Sequence, residues 1–111
     1  MIRKPVVKTA TIAASATTSD AIELRDYAMA GFIMPATLTS TTMTFTVCDT
    51  KAGTYVPLYD SDGNQISLPV AAARAIGLSG TEADALAPFA WVKLVGGSTE
   101  VSARSVACLL K

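Results

Sequence analysis

The chain contains no histidine. That absence removes Ser-His-Asp and Cys-His nucleophile chemistry, imidazole metal ligation and the usual general base near neutral pH. Charge is also scarce: 16% of the residues are charged, against about 25% in an average domain. Nine basic and nine acidic residues cancel. A nucleic-acid binder needs clustered Lys and Arg to neutralise phosphates, so no nucleic-acid partner is expected. The chain also lacks the strong net charge that keeps free monomers apart, which points to a protein that is assembled into something. No apolar run approaches the ~20 residues of a membrane-spanning helix, and no membrane partner is expected. The N-terminal stretch, with Arg3 and Lys4 before Val6 and Val7, loosely mimics a signal peptide. Lys8 and the threonines interrupt its apolar region and argue against that reading. Cysteine is limited to Cys48 and Cys108, whose spacing fits no zinc or redox motif. Both read as buried free thiols of a reducing cytosol.

What is present is β-structure. The 111 residues make one domain of ordinary size, large enough for a hydrophobic core without staples. Turn residues recur at the spacing of an all-β sandwich. Val6 to Ala13 is rich in β-branched residues and reads as a strand, while residues 1–18 as a whole read either as an N-terminal arm or as the first strand. Residues 19–111 are expected to form the sandwich. Short strands are expected over Ala21–Leu24 and Ala28–Met34. In Thr42–Cys48, Met43, Phe45 and Val47 fall on one face and threonines on the other, the period-two alternation of a half-buried strand. Thr54–Tyr59 follows; Pro57 cannot donate to a ladder, which places this strand at an edge or bulge. Gln65–Leu68, Arg74–Leu78, Phe89–Val95 and Val101–Leu110 complete the strands. One short helix is expected near 81–87, capped by Thr81, with Glu82 and Asp84 in its first turn and Pro88 as its stop. The fold class is therefore an antiparallel β-sandwich, jelly-roll-like, with one short helix.

Nothing in this pattern assigns a catalytic, cofactor or metal residue, and no cofactor is expected. No serine lies in a Gly-x-Ser-x-Gly elbow, and the glycines have neither P-loop nor dinucleotide spacing. Asp60-Ser61-Asp62-Gly63-Asn64 resembles the start of a calcium loop, but Gly63 stands at position four and Ala71 at position twelve, so a solvated β-turn is the expectation. Glu82 and Asp84, two apart on a helix, do not face each other as an acid/base pair would. Tyr27, Tyr55, Tyr59 and Trp91 are expected at the surface, with the three phenylalanines inside. Trp91, Tyr55 and Tyr59 are the candidate interaction residues, either as a protein contact or as a platform on which sugars stack.

Several segments occur together in a familiar order: Ala21-Ile22-Glu23-Leu24, Gly31-Phe32-Ile33-Met34-Pro35-Ala36, Met43-Thr44-Phe45-Thr46-Val47, Tyr55-Val56-Pro57-Leu58-Tyr59-Asp60, Ala72-Ala73-Arg74-Ala75-Ile76 and Trp91-Val92-Lys93-Leu94. From about Ala21 onward, the string resembles a group of small structural proteins of tailed bacteriophages. It is also similar to the galactose-binding-like jelly roll, in which a Phe-x-Val-Ser-x-Asp-Gly hairpin precedes an Arg-Tyr-aliphatic strand. Here Cys48 to Gly53 replaces that turn and Ala90 to Leu94 replaces that strand. The missing arginine weighs against a carbohydrate site. The resemblance implies a virion structural component, and among such roles a capsid decoration (cement) protein. Its partner would then be the major capsid protein, and its place the capsid surface after synthesis in the host bacterial cytoplasm. A homo-oligomer is implied, with a trimer favoured. The alternative is a carbohydrate-binding module or accessory protein of a phage tail, fibre or head-to-tail region.

Overall fold

The computed structural model describes residues 6–24 and 27–111. Two antiparallel sheets face each other across one core. The first holds β1 (Val6–Ile12), β9 (Arg104–Leu110), β3 (Met29–Ile33) and β7 (Ala75–Gly77), in that order. The second runs β2 (Ile22–Glu23), β8 (Trp91–Gly96), β4 (Thr42–Cys48), with β5 (Val56–Pro57) and β6 (Ser67–Pro69) sharing the outer side of β4. The chain is thus an all-β sandwich with one short helix. Of residues 1–18, read as an arm or a first strand, residues 6–12 lie along the last strand, Val6 opposite Leu110 and Ile12 opposite Arg104, and residues 13–18 form the connection that follows. Residues 1–5 lie outside the described residues.

Alternation builds the core. Met43, Phe45 and Val47 of β4 face inward and meet Val92 and Leu94 of β8, while Thr42, Thr44 and Thr46 face out. From the other sheet come Phe32, Val106, Cys108 and Leu110. Burying such side chains contributes roughly 1.5–3 kcal/mol each, which is what holds two thin sheets face to face. Pro57 sits on an edge strand opposite Thr46, where its missing N–H faces no ladder partner.

β3 and β7 approach closely at Gly31. A Cβ on Gly31 would stand 2.6 Å from the Ile76 carbonyl oxygen, a backbone atom that cannot rotate away. Gly31→Ala is therefore expected to push β7 off the sheet and cost about 1–3 kcal/mol. Denaturant titration checks this, with Gly77→Ala, whose Cβ meets nothing, as the neutral comparison.

The helix α1 (Gly80–Leu86) buries Leu86 and ends before Pro88. Its N-cap is Ser79, two residues before the expected Thr81. Ser79 is extended at φ −77° and ψ 171°, the backbone shape a cap requires, and its hydroxyl contacts the Glu82 carboxylate. Thr81 lies inside the first turn. Val101 to Ala103 were expected in the last strand but form a loop, and the strand begins at Arg104.

Candidate interaction surfaces

The outer face of the second sheet gathers two of the three candidate residues. Trp91 on β8 lies between Cys48 of β4 and Glu23 of β2. Two residues along the same strand, Lys93 points the same way. Tyr55 folds over this row just before β5, and its hydroxyl donates to the Lys51 carbonyl at 2.9 Å. Lysines cover both rings: the Lys93 ammonium is 4.4 Å from the Tyr55 centroid and the Lys51 ammonium 5.8 Å from that of Trp91. Burial raises the Tyr55 phenol above its ordinary value, and the adjacent Cys48 adds to the shift. Trp91 is half-buried, not a fully presented platform. A sugar stacking on the lysine-facing side of either ring would have to displace an ammonium.

Tyr59 stands apart. It is 54% exposed and lines a cleft of about 500 Å³ against α1, with Asp60, Asp62, Asp84 and Phe89. Phe89 is thus half-buried at a surface cleft, unlike Phe32 and Phe45, which are fully enclosed. The calcium-like segment is a turn. The Asp60 carboxylate accepts the N–H groups of Asp62 and Asn64, and Gly63 takes φ +85°. The cysteines separate as well. Cys108 faces the core, where burial pushes its thiol up to about 12. Cys48 faces outward on the other sheet and is half-buried, not buried as expected.

A second region, which the sequence reading passed over, lies where four connections meet at one end of the sandwich: residues 13–18, 34–41, 70–74 and 97–103. Glu100 ties them. Its backbone donates to the Ala16 carbonyl at 3.0 Å and accepts from the Ser15 N–H at 2.7 Å. Its side chain, 0% exposed, accepts from the Thr39 and Ser40 N–H groups at 2.9 Å, the Ser40 hydroxyl at 2.8 Å and the Arg104 Nε at 2.9 Å. Residues 70–74 join through Met34 N–H to the Arg74 carbonyl and Ala73 N–H to the Pro35 carbonyl, both at 2.8 Å. Both non-glycine residues with positive φ among the described residues, Ser15 at 67° and Ala73 at 56°, sit here. Holding them in the left-handed region requires the surrounding structure to over-determine the turns.

Charge is distributed unevenly around this frame. On the four connections the exposed charge is Arg74, with Asp20 nearby on the β1 edge. Asp49, Lys51, Glu82, Asp84 and Lys111 lie toward the opposite end, and Asp60 and Asp62 on the flank cleft. At this charge-poor end Val101 projects next to buried Glu100 and is 76% exposed. The signal available in the sequence was a lone acid in the neutral run Gly96 to Ala103, with Arg104 four residues on. Comparison with protein families, with curated proteins and with solved structures finds no match to this chain.

Proposed function

We propose that this protein is a virion structural protein of a tailed bacteriophage, a capsid decoration protein that binds and stabilises the major capsid protein lattice. The resemblance of its ordered segments motivates the reading. The observation that carries it is the loop end: short connections clasped around a buried carboxylate, free of exposed charge except Arg74, with Val101 projecting. Rigid loops lose little freedom on docking, and a surface with few charges has few groups to desolvate against a protein. Assembly as a trimer on the capsid surface belongs to the same reading. An enzymatic role has no support in a chain without histidine.

The test adds purified protein to expanded capsids of the encoding phage assembled without it. Bound density by cryo-EM is expected, and Val101→Asp is expected to weaken binding about tenfold or more, as loss of a central apolar contact does. Absence of binding by the parent chain at saturating concentration would sink the proposal. The carbohydrate reading draws on Trp91 and Tyr55 sharing one face. Because lysines cover both rings, a blank glycan array is the expected result.

A further inference from the structure

Three of the four sheet edges are short or carry proline. β2 has two residues, β7 has three, and the β5–β6 side carries Pro57 and Pro69. β1 differs: seven residues and, among the described residues, a strand partner on one side only, with a single bridge from Ile12 to Ser19 on the other. An edge of that length offers unpaired main-chain groups to any other strand.

Which groups are open follows from the end that is already capped. The Thr11 N–H donates to Asp20 Oδ1 at 2.8 Å, and the Thr11 carbonyl accepts from the Asp20 N–H at 3.2 Å. Main-chain groups of an antiparallel strand alternate sides, so those of Thr9 and Val7 point the same way, out from β9. Among the described residues they have no hydrogen-bond partner.

A second copy of β1 is the natural occupant, since an edge can pair with itself about a two-fold axis. The registers that match outward-bonding residues are few. Centring on Lys8 sets Val7 against Thr9 of the second copy and joins every open group. It also sets Lys8 directly against its own copy in a non-hydrogen-bonded pair, at a Cα separation of roughly 4.5 Å, where like charges repel. Centring on Thr9 sets Val7 against Thr11, whose groups Asp20 already holds. Centring on Val7 sets Thr9 against Pro5, which has no N–H to give.

Lys8 obstructs in a second way. Its side chain follows the inward alternation of Ala10 and Ile12 and reaches the gap between the sheets. There its ammonium donates to the Glu23 carbonyl at 3.0 Å and stands 5.5 Å from the Tyr27 ring centroid. A strand added beside β1 would bury that ammonium.

We propose that β1 is a strand-addition edge held closed against a second copy of the chain by Lys8 and Asp20. The closure confines self-association and docking to surfaces other than this edge, and it stands independently of the capsid reading. Lys8→Thr removes both the repulsion and the ammonium. In this variant, sedimentation is expected to show a concentration-dependent species of twice the parent mass. Amide exchange at Val7 and Thr9 should slow about tenfold or more, as it does for groups that become paired. Lys8→Arg should behave as the parent does. Should Lys8→Thr not fold, Lys8→Gln, which keeps most of the stem and removes the charge, is read by the same two measurements. A folded variant that sediments like the parent with fast amides at Val7 and Thr9 overturns the proposal. Slow exchange at those amides in the dilute parent overturns it equally, because the edge would then already be paired.

Discussion

Glu100→Ala is expected to lower stability by about 3–5 kcal/mol, the usual result of deleting one partner of a buried ion pair. The carboxylate accepts four hydrogen bonds, so its loss leaves the Thr39 and Ser40 N–H groups and the Arg104 guanidinium without their acceptor. Each buried donor left unsatisfied costs on the order of 1–3 kcal/mol. For a domain of this size the expected fall in Tm is about 12–20 °C, measurable by calorimetry. Glu100→Gln keeps the shape but loses the charge and one acceptor oxygen. It is expected to fall between the parent and Glu100→Ala. Arg104→Ala removes only the Nε bond and should cost less than Glu100→Ala, since three donors remain on the carboxylate.

The same clasp sets an acid limb. Burial alone would raise the Glu100 carboxyl. The bonds from Arg104, Thr39 and Ser40 outweigh it and hold the group at about 2, below its ordinary 4.5. Protons therefore bind the unfolded chain first, and stability rises with pH through this range. The contribution is fully present above about pH 4.5 and shrinks as pH falls toward 2, where the folded-state carboxyl itself protonates. Urea titrations of the parent should lose stability across that window. In Glu100→Gln, which has no proton to take up, this part of the slope should vanish.

How far the sequence discloses the fold depends on the range over which each signal acts. β4 was legible to the residue, because alternation is local and Thr42 to Cys48 obeys it throughout. The strand expected over Thr54–Tyr59 is reduced to Val56–Pro57. Tyr55 leaves the ladder to reach the Lys51 carbonyl, and Tyr59 bridges to Gln65. The last strand is expected from Val101 and begins at Arg104. Glu100 turns inward to donors about sixty residues away, and that contact carries residues 97–103 out of the ladder. No window of sequence contains both halves of such a pair. The placing of Trp91 and Tyr55 on one sheet face is of the same kind, since it depends on the register of Cys48 against Trp91. Tyr59 shares with them only the expectation of an exposed aromatic ring, and the turn at Asp60 directs it to a different cleft.

Phe32→Ala and Phe45→Ala are each expected to cost about 3–5 kcal/mol, because the two rings fill the middle of the sandwich from opposite sides. Phe32 comes from β3 in the first sheet and Phe45 from β4 in the second, both 0% exposed. Their centroids are 5.9 Å apart with the planes inclined at 23°, an offset contact between the sheets. Neither cavity can collapse easily. Cys108 sits opposite Phe32 and Leu94 opposite Phe45, each fixed by its own strand register. A small domain has about 5–15 kcal/mol in hand, so the double alanine variant should not fold at all. Leucine variants preserve enough volume to measure the pair itself. Phe32→Leu, Phe45→Leu and the double variant close a thermodynamic cycle, with an expected coupling of about 0.5–1.5 kcal/mol. Phe89→Ala provides the contrast. That ring is half-buried beside the α1 cleft, so its loss should cost clearly less than either core phenylalanine. If Phe89→Ala proved as costly as Phe45→Ala, the packing centre would lie under the helix and not between the sheets.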